Sequence, residues 1–323
     1  MRSLFLFANG RIAALERDFI QPRSWQMLLS ARDLEETERL LADTWYGRFL
    51  SRGDIEGCLE QAMVATEQEL TELSEDPALV RGLLHRRDAR NARYIWKAAL
   101  LGGTADPEVE RPGLIPIEVL SAAAAAEPGE EPALPPLFAE ALSEMRDAAR
   151  SGVSAVDMVM DRLAAAVEME ELPGMDPGLE AYARTRMDIL NFQVAGRCRL
   201  AGMDLPAIEA MLLPGGSREP GDLARAAMAG QLPQTAAETP GMEHLGGVLR
   251  EALSGGSFLE YQREAERTLL EMLETGSFAV FGPAPLAAFV LKREMEIAHL
   301  RILFASRAAG MSRSMLHKRL PRG

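Results

Sequence analysis

Three stretches decide the fold: Asp88-Ala89-Arg90-Asn91-Ala92-Arg93, Asp188-Ile189-Leu190-Asn191-Phe192-Gln193 and Glu296-Ile297-Ala298-His299-Leu300-Arg301. Each opens with an acid, carries an amide or imidazole three residues later, and runs without a proline to a glycine 14 residues past the acid, at Gly102, Gly202 and Gly310. A glycine just past the last turn readily takes the left-handed conformation that closes a helix. Each stretch therefore predicts the end of a long helix. The copies lie 100 and 108 residues apart, and recurrence at so regular a period predicts a threefold internal repeat. Cutting the chain by that repeat gives three helical blocks, 1–112, 113–213 and 214–323.

Helical geometry adds content to the repeat. At about 100° per residue, the acid and the polar residue three later share a side with Ala92, Phe192 and Leu300, and with Ile95, Ala195 and Leu303. Arg93, Gln193 and Arg301 point nearly opposite, towards solvent. The acid and its companion thus lie in or beside an apolar face, where a polar group without a partner costs a few kcal/mol. Asp88, Asn91, Asp188, Asn191, Glu296 and His299 are expected to be structural polar pairs, held by the same kind of bond in each copy. His299, standing where Asn91 and Asn191 stand, argues for hydrogen bonding rather than ion ligation.

Helical patterns continue on either side. Ser24–Leu50 carries apolar residues at helical spacing, with Asp33 as N-cap of its second part; Asp54 caps a helix running to Leu73; Leu79–Leu101 ends at Gly102 and Gly103. Thr104–Pro136 is proline-rich, with a short helix at Ile115–Ala125. Leu137–Glu171 and Leu179–Leu200 are helical, Leu213–Met242 reads as a second break, and Phe258–Glu274 and Leu286–Ala309 are the last helices. Composition agrees with an all-α chain. Ala, Leu, Glu, Arg and Met are abundant, whereas Val, Ile and Thr are sparse and aromatic residues make up only 6%.

The 323 residues carry a formal charge of −13, which repels phosphate backbones and disfavours nucleic acid as a main partner. The basic tail, Arg313, His317, Lys318, Arg319 and Arg322, reads as a solvated end. Cys58 and Cys198 form neither a disulfide framework nor a metal site and are expected as buried thiols of a reducing compartment. Leu4–Ala8 is too short for a signal peptide. Phe278–Leu291 falls short of the roughly 18–20 apolar residues that span a bilayer. The expectation is a cytoplasmic protein without direct membrane insertion.

Chemistry is not legible. There is no phosphate-cradling G-x-x-x-x-G-K-[ST] loop, no H-E-x-x-H, no C-x-x-C and no G-x-S-x-G. Gly215-Gly216 and Gly255-Gly256 lack the strand-then-helix setting of a dinucleotide site. No catalytic, cofactor-binding or metal residue is assigned. Trp45, Tyr46 and Phe49 read as core, with an anchor for a partner helix as the alternative. Arg81, His85, Arg86, Arg87, Arg90, Arg93 and Lys97 make one helix strongly basic: a solvated face, or a socket wall for an acidic partner helix.

These residues together resemble the C subunit of the V-type/A-type rotary ATPases, the counterpart of the d subunit of the vacuolar enzyme. The likeness rests on Phe7-Ala8-Asn9-Gly10-Arg11-Ile12, on Leu40–Leu50 with Thr44 and Tyr46, on the D-x-x-N helices at Asp88 and Asp188, and on Lys292-Arg293-Glu294-Met295-Glu296-Ile297 with Leu300-Arg301-Ile302. It spans essentially the whole chain. Gly10 and His299 depart from the usual Ala and Asn, and the insert Glu127–Pro136 is particular to this sequence. The resemblance implies three similar helical domains around a pseudo-threefold axis, shaped as a funnel. Its wide end would sit on the proteolipid rotor ring, and its pocket would hold the central shaft made of the D and F subunits. It implies a rotor part, peripheral to the membrane, with no cofactor and no active site of its own. Arg86, Arg87, Arg90 and Arg93 are the candidate shaft-binding residues. Reversing the charge of Arg86, Arg87 and Arg90 is then expected to weaken shaft binding and spare the fold. The alternative is a free-standing helical scaffold or adaptor, although open solenoids usually use shorter and more numerous repeats of roughly 20–45 residues.

Overall fold

The computed structural model describes residues 5–74, 77–101, 113–171, 176–255, 257–276 and 282–311, with Leu316 and Leu320. The readings placed on Gly102, Gly103, Phe278 and the basic tail lie outside the described residues. Among the described residues every regular element is helical, and β geometry is limited to one isolated bridge between Ser51 and Asp54. The protein is all-α, as its composition predicts.

Contacts divide the chain into two compact units, Met1–Asp76 with Gly241–Gly323, and Pro77–Pro240. The first unit holds α1 (Leu6–Leu15), α2 (Pro22–Ser30), α3 (Leu34–Ala42) and α4 (Ile55–Leu73) from the front of the chain. Its other helices are α13 (Leu245–Gly255), α14 (Leu259–Gly276) and α15 (Ala284–Ala308) from the back. The second unit holds α5 (Pro77–Leu101), α6 (Ile117–Ala125), α7 (Pro136–Ala148), α8 (Val153–Glu171), α9 (Pro177–Leu200), α10 (Leu205–Ala210), α11 (Pro220–Ala229) and α12 (Leu232–Ala237).

In the first unit α15 is the axis. Every residue from Ala284 to Leu291 is buried, because α1, α3, α4 and α14 pack around it. A helix that is apolar all round belongs in a core, which accounts for the apolar stretch 284–291. Among the described residues no helix is long and apolar enough to cross a membrane. The helical pattern over Ser24–Leu50 is broken twice. Asp33 caps α3 by accepting from the Glu36 N–H at 2.8 Å, as its sequence position predicts. Thr44 then donates to Leu41 O at 2.6 Å and accepts from Tyr46 N–H at 3.3 Å. That side chain competes with helical bonding, so Trp45–Arg48 forms a 3-10 turn instead of further α-helix.

In the second unit α5 shares one core with α6, α7 and α8, centred on Trp96, Leu120, Phe138, Met145, Val156 and Met160. The buried indole N–H of Trp96 donates to Leu120 O at 3.0 Å, so the largest core side chain leaves no orphaned donor. This core runs across position 112/113, where the repeat alone places a boundary. Leu137–Glu171, one helical pattern in sequence, splits at Gly152, whose φ of 105° excludes a helix there. The segment Leu213–Met242, read as a break, contains α11 and α12. Their prolines, Pro220 and Pro233, occupy first-turn positions, where the missing N–H costs nothing. Proline-rich composition therefore marks helix starts here, not a structureless loop.

Candidate functional site

The three acids are each enclosed in hydrogen bonds, and each grips the segment leading into a proline-started helix. Asp88 on α5 is fully buried. Its Oδ2 accepts from Leu114 N–H at 3.2 Å and its Oδ1 from Ile115 N–H at 3.1 Å, just before Pro116 caps α6. His85 Nδ1, one turn earlier, lies 3.0 Å from Oδ2. Asp188 on α9 is also fully buried. It accepts from Ser217 N–H at 2.9 Å, Ser217 Oγ–H at 2.6 Å and Arg218 N–H at 3.3 Å, just before Pro220 starts α11. The Arg218 guanidinium then donates to Thr239 Oγ1 and Glu238 O, tying down the end of α12.

The third acid uses the start of the chain. Glu296 on α15 accepts from Ile20 N–H at 2.7 Å, just before Pro22 starts α2. Tyr46 O–H donates to its other oxygen at 2.8 Å, and Arg293 Nη1 donates at 2.5 Å. Arg293 is wholly buried, with its guanidinium carbon 4.2 Å from the ring centres of both Phe19 and Trp45. Its Nε and Nη2 have no hydrogen-bond acceptor among the described residues, so ring faces supply the remaining attraction. Burial raises the Glu296 carboxyl above the ordinary carboxylate range, against the opposing pull of Arg293, Ile20 and Tyr46. Burial, and then the Glu296 charge, push the Tyr46 phenol well above its ordinary value.

Two glycines make the first two grips fit. A Cβ on Gly113 would overlap Asp88 Oδ1, and a Cβ on Gly216 would overlap Asp188 Oδ1. Close approach of backbone to carboxylate is what lets successive N–H groups converge on one side chain. The receiving segments, Gly113–Pro116, Gly216–Pro220 and Asp18–Pro22, do not stand out in the sequence. Their shared signal is a short stretch ending in proline, twice with a glycine at its head.

The companions of the acids differ. Asn191 donates to Leu213 O at 2.7 Å and accepts from Leu213 N–H at 2.8 Å. Asn91 is buried. His299 instead reaches across to Glu266 on α14 at 2.9 Å and stands edge-on to Trp25. The apolar companions Ala92, Phe192, Leu300, Ile95, Ala195 and Leu303 are all buried. Arg93, Gln193 and Arg301 are half-buried rather than fully solvated; Arg93 pairs with Asp161 and Arg301 with Glu56 on neighbouring helices.

The basic helix contributes to a cleft of about 410 Å³ within the second unit. Arg86, Arg90 and Arg93 line it from α5, Arg162 from α8 and Arg186 from α9, against only Asp161 and Glu168; Arg87 does not line it. Arg86 and Arg186 both engage Glu168, which is almost wholly buried. Arg90 is exposed and has no ion-pair partner among the described residues. Among the described residues no cluster of His, Cys, Asp or Glu could hold a metal ion.

Among the described residues, then, regular structure is all helical, the recurring acids bind the chain's own backbone, and one cleft is lined by five arginines. The chain belongs to the family described as ATP synthase (C/AC39) subunit, whose pattern it matches over residues 8–319. It is similar to the C subunit of the A-type ATP synthase of Methanothermobacter thermautotrophicus, with 24% identity over 342 aligned positions covering 98% of this chain and 87% of that protein.

Proposed function

We propose that the chain is the non-catalytic central-stalk connector of a V/A-type rotary ATPase. In this reading it couples rotation of the shaft, made of the D and F subunits, to the proteolipid ring, and so links ATP turnover to proton or sodium movement. It lies in the cytoplasm, peripheral to the membrane and attached through protein contacts. The net charge of −13 supports that attachment, since an acidic chain is repelled by anionic lipid headgroups.

The observation that carries the reading is the threefold recurrence of one device, an acid on a long helix gripping the lead-in of another helix. Hydrogen bonds to a carboxylate contribute roughly 1.5–3 kcal/mol each, so each buried acid holds the two elements it joins in one arrangement. A torque-bearing part needs that stiffness. The device also supports three similar domains around a pseudo-threefold axis. Each copy would then run from its acid helix into the segment that follows, with the third copy made from the two ends of the chain. Arg90 and Arg93 remain our candidate shaft contacts. Reversal of Arg86 would set a second carboxylate beside the buried Glu168, which also pairs with Arg186, so the triple reversal with Arg87 and Arg90 cannot separate binding from folding.

The test is recovery of the tagged chain from gently solubilised membranes, with bound proteins identified by mass spectrometry. Shaft and ring subunits in the eluate, with ATPase activity there and none in the isolated chain, are expected. Recovery of the chain alone, or with unrelated soluble proteins, discards the connector reading.

A further inference from the structure

We infer that the cleft between α5, α8 and α9 is a docking groove for an acidic amphipathic helix. The inference deepens the connector reading and rests on it for placing that helix within the rotary complex; the chemistry of the groove stands on its own residues. Five arginines against two carboxylates line this cleft, in a chain whose total charge is −13. So local a reversal of sign favours an anionic occupant. Most of the arginines are already engaged with Glu168, Asp161 or Glu144, which fixes where their heads lie. Arg90 alone stands exposed and without an ion-pair partner among the described residues.

The apolar lining decides what kind of anion. Apolar side chains share the lining with the arginines: Met158 and Leu190 are half-buried, and Met211 is 37% exposed. Flexible thioethers on a surface adapt to apolar side chains of varied shape, whereas a phosphate or a nucleic acid backbone gains nothing from them. A cleft of about 410 Å³ admits one ridge of side chains, not a whole helix about 10 Å across. The matching occupant is a helix laying its i, i+3, i+4, i+7 apolar ridge on Met158, Leu190 and Met211, with carboxylates flanking that ridge and facing Arg90 and Arg162.

The experiment uses the full chain and a fluorescein-labelled synthetic peptide of about 20 residues, long enough to form an isolated helix. It carries a leucine ridge with glutamates elsewhere, and its twin carries lysines instead. Fluorescence anisotropy is expected to show binding of the glutamate peptide only. Arg90→Glu and Met211→Glu, both at exposed positions outside the buried ion pairs, are each expected to weaken it about tenfold while thermal melting stays as in the parent chain. Equal binding of the lysine twin, binding indifferent to both substitutions, or no binding overturns the groove. If the parent chain co-purifies with shaft and ring yet the glutamate peptide fails, the groove falls and the connector stands. If co-purification fails, the connector falls whatever the peptide does.

Discussion

Glu296 accepts a 2.7 Å hydrogen bond from the backbone N–H of Ile20, 276 positions away in the chain. The same carboxylate holds Tyr46 and the wholly buried Arg293. One side chain therefore ties the last long helix to the first turn-in of the polypeptide.

Removing either half of that ion pair leaves a buried charge unmatched, which costs roughly 3–5 kcal/mol. Glu296→Gln and Arg293→Met should each lower the urea stability by about that amount. The double variant should cost clearly less than the sum, because it leaves no buried charge unmatched, and the glutamine oxygen can still accept from Ile20 N–H while its amide donates to the Tyr46 hydroxyl oxygen. Additive losses in the double-mutant cycle would show that Arg293 and Glu296 are not coupled.

Gly216→Ala places a methyl against the Asp188 carboxylate and should destabilise by roughly 1–3 kcal/mol, the usual cost of overpacking. Gly113→Ala should behave alike against Asp88. Gly247→Ala is the control. It lies in the first turn of α13 with nothing within 4 Å of a new Cβ, so it should stabilise by up to about 0.5 kcal/mol. Denaturant midpoints moving the same way for Gly216 and Gly247 would refute the close-approach account.

Burial, aided by the Asp54 charge, pushes the Cys58 thiol from its ordinary value of 9 up to about 11. At pH 8.5 the native thiol should react with a disulfide reagent on the order of a hundredfold more slowly than an exposed cysteine. Because the folded thiol keeps its proton to higher pH, unfolding releases that proton between the two values. The stabilising contribution is thus present below pH 9 and lost as pH rises towards 11. Thermal melts of the parent chain should fall over that window more steeply than those of Cys58→Ala. Parallel curves would place the thiol in contact with solvent.

His299→Asn should cost less than about 1 kcal/mol, the ordinary worth of a pair with an exposed partner, since Glu266 is 42% exposed. The asparagine is too short to reach Glu266 on α14. A loss as large as that of Glu296→Gln would mean that His299 belongs to the buried lock, contrary to its contacts.

The helical class, the long helices α5, α9 and α15, and the polar positions that recur in them are legible in the residues alone. Those signals are local. Helix propensity, a cap such as Asp33 or Asp54, and the spacing of an acid from a terminal glycine are all written within a few turns of chain. The left-handed glycines Gly202 and Gly310, at φ 74° and 65°, fall where that reading puts them. Sequence could also say that Asp88, Asp188 and Glu296 needed partners, because they share a face with buried apolar residues.

It could not say which partners. Asp88 bonds 26 and 27 residues ahead, Asp188 29 and 30 ahead, and Glu296 reaches back to Ile20. A receiving backbone N–H is carried by every residue but proline, so it leaves no mark in the residue types. Tertiary structure also decided which arginines are engaged, since Arg86 and Arg186 meet at Glu168 from two different helices. Five arginines are gathered around one cleft by the approach of α5, α8 and α9, and no single stretch contains that arrangement. Local free-energy preferences fix elements; the meeting of elements depends on burial summed over the whole chain, and only the folded molecule carries out that sum.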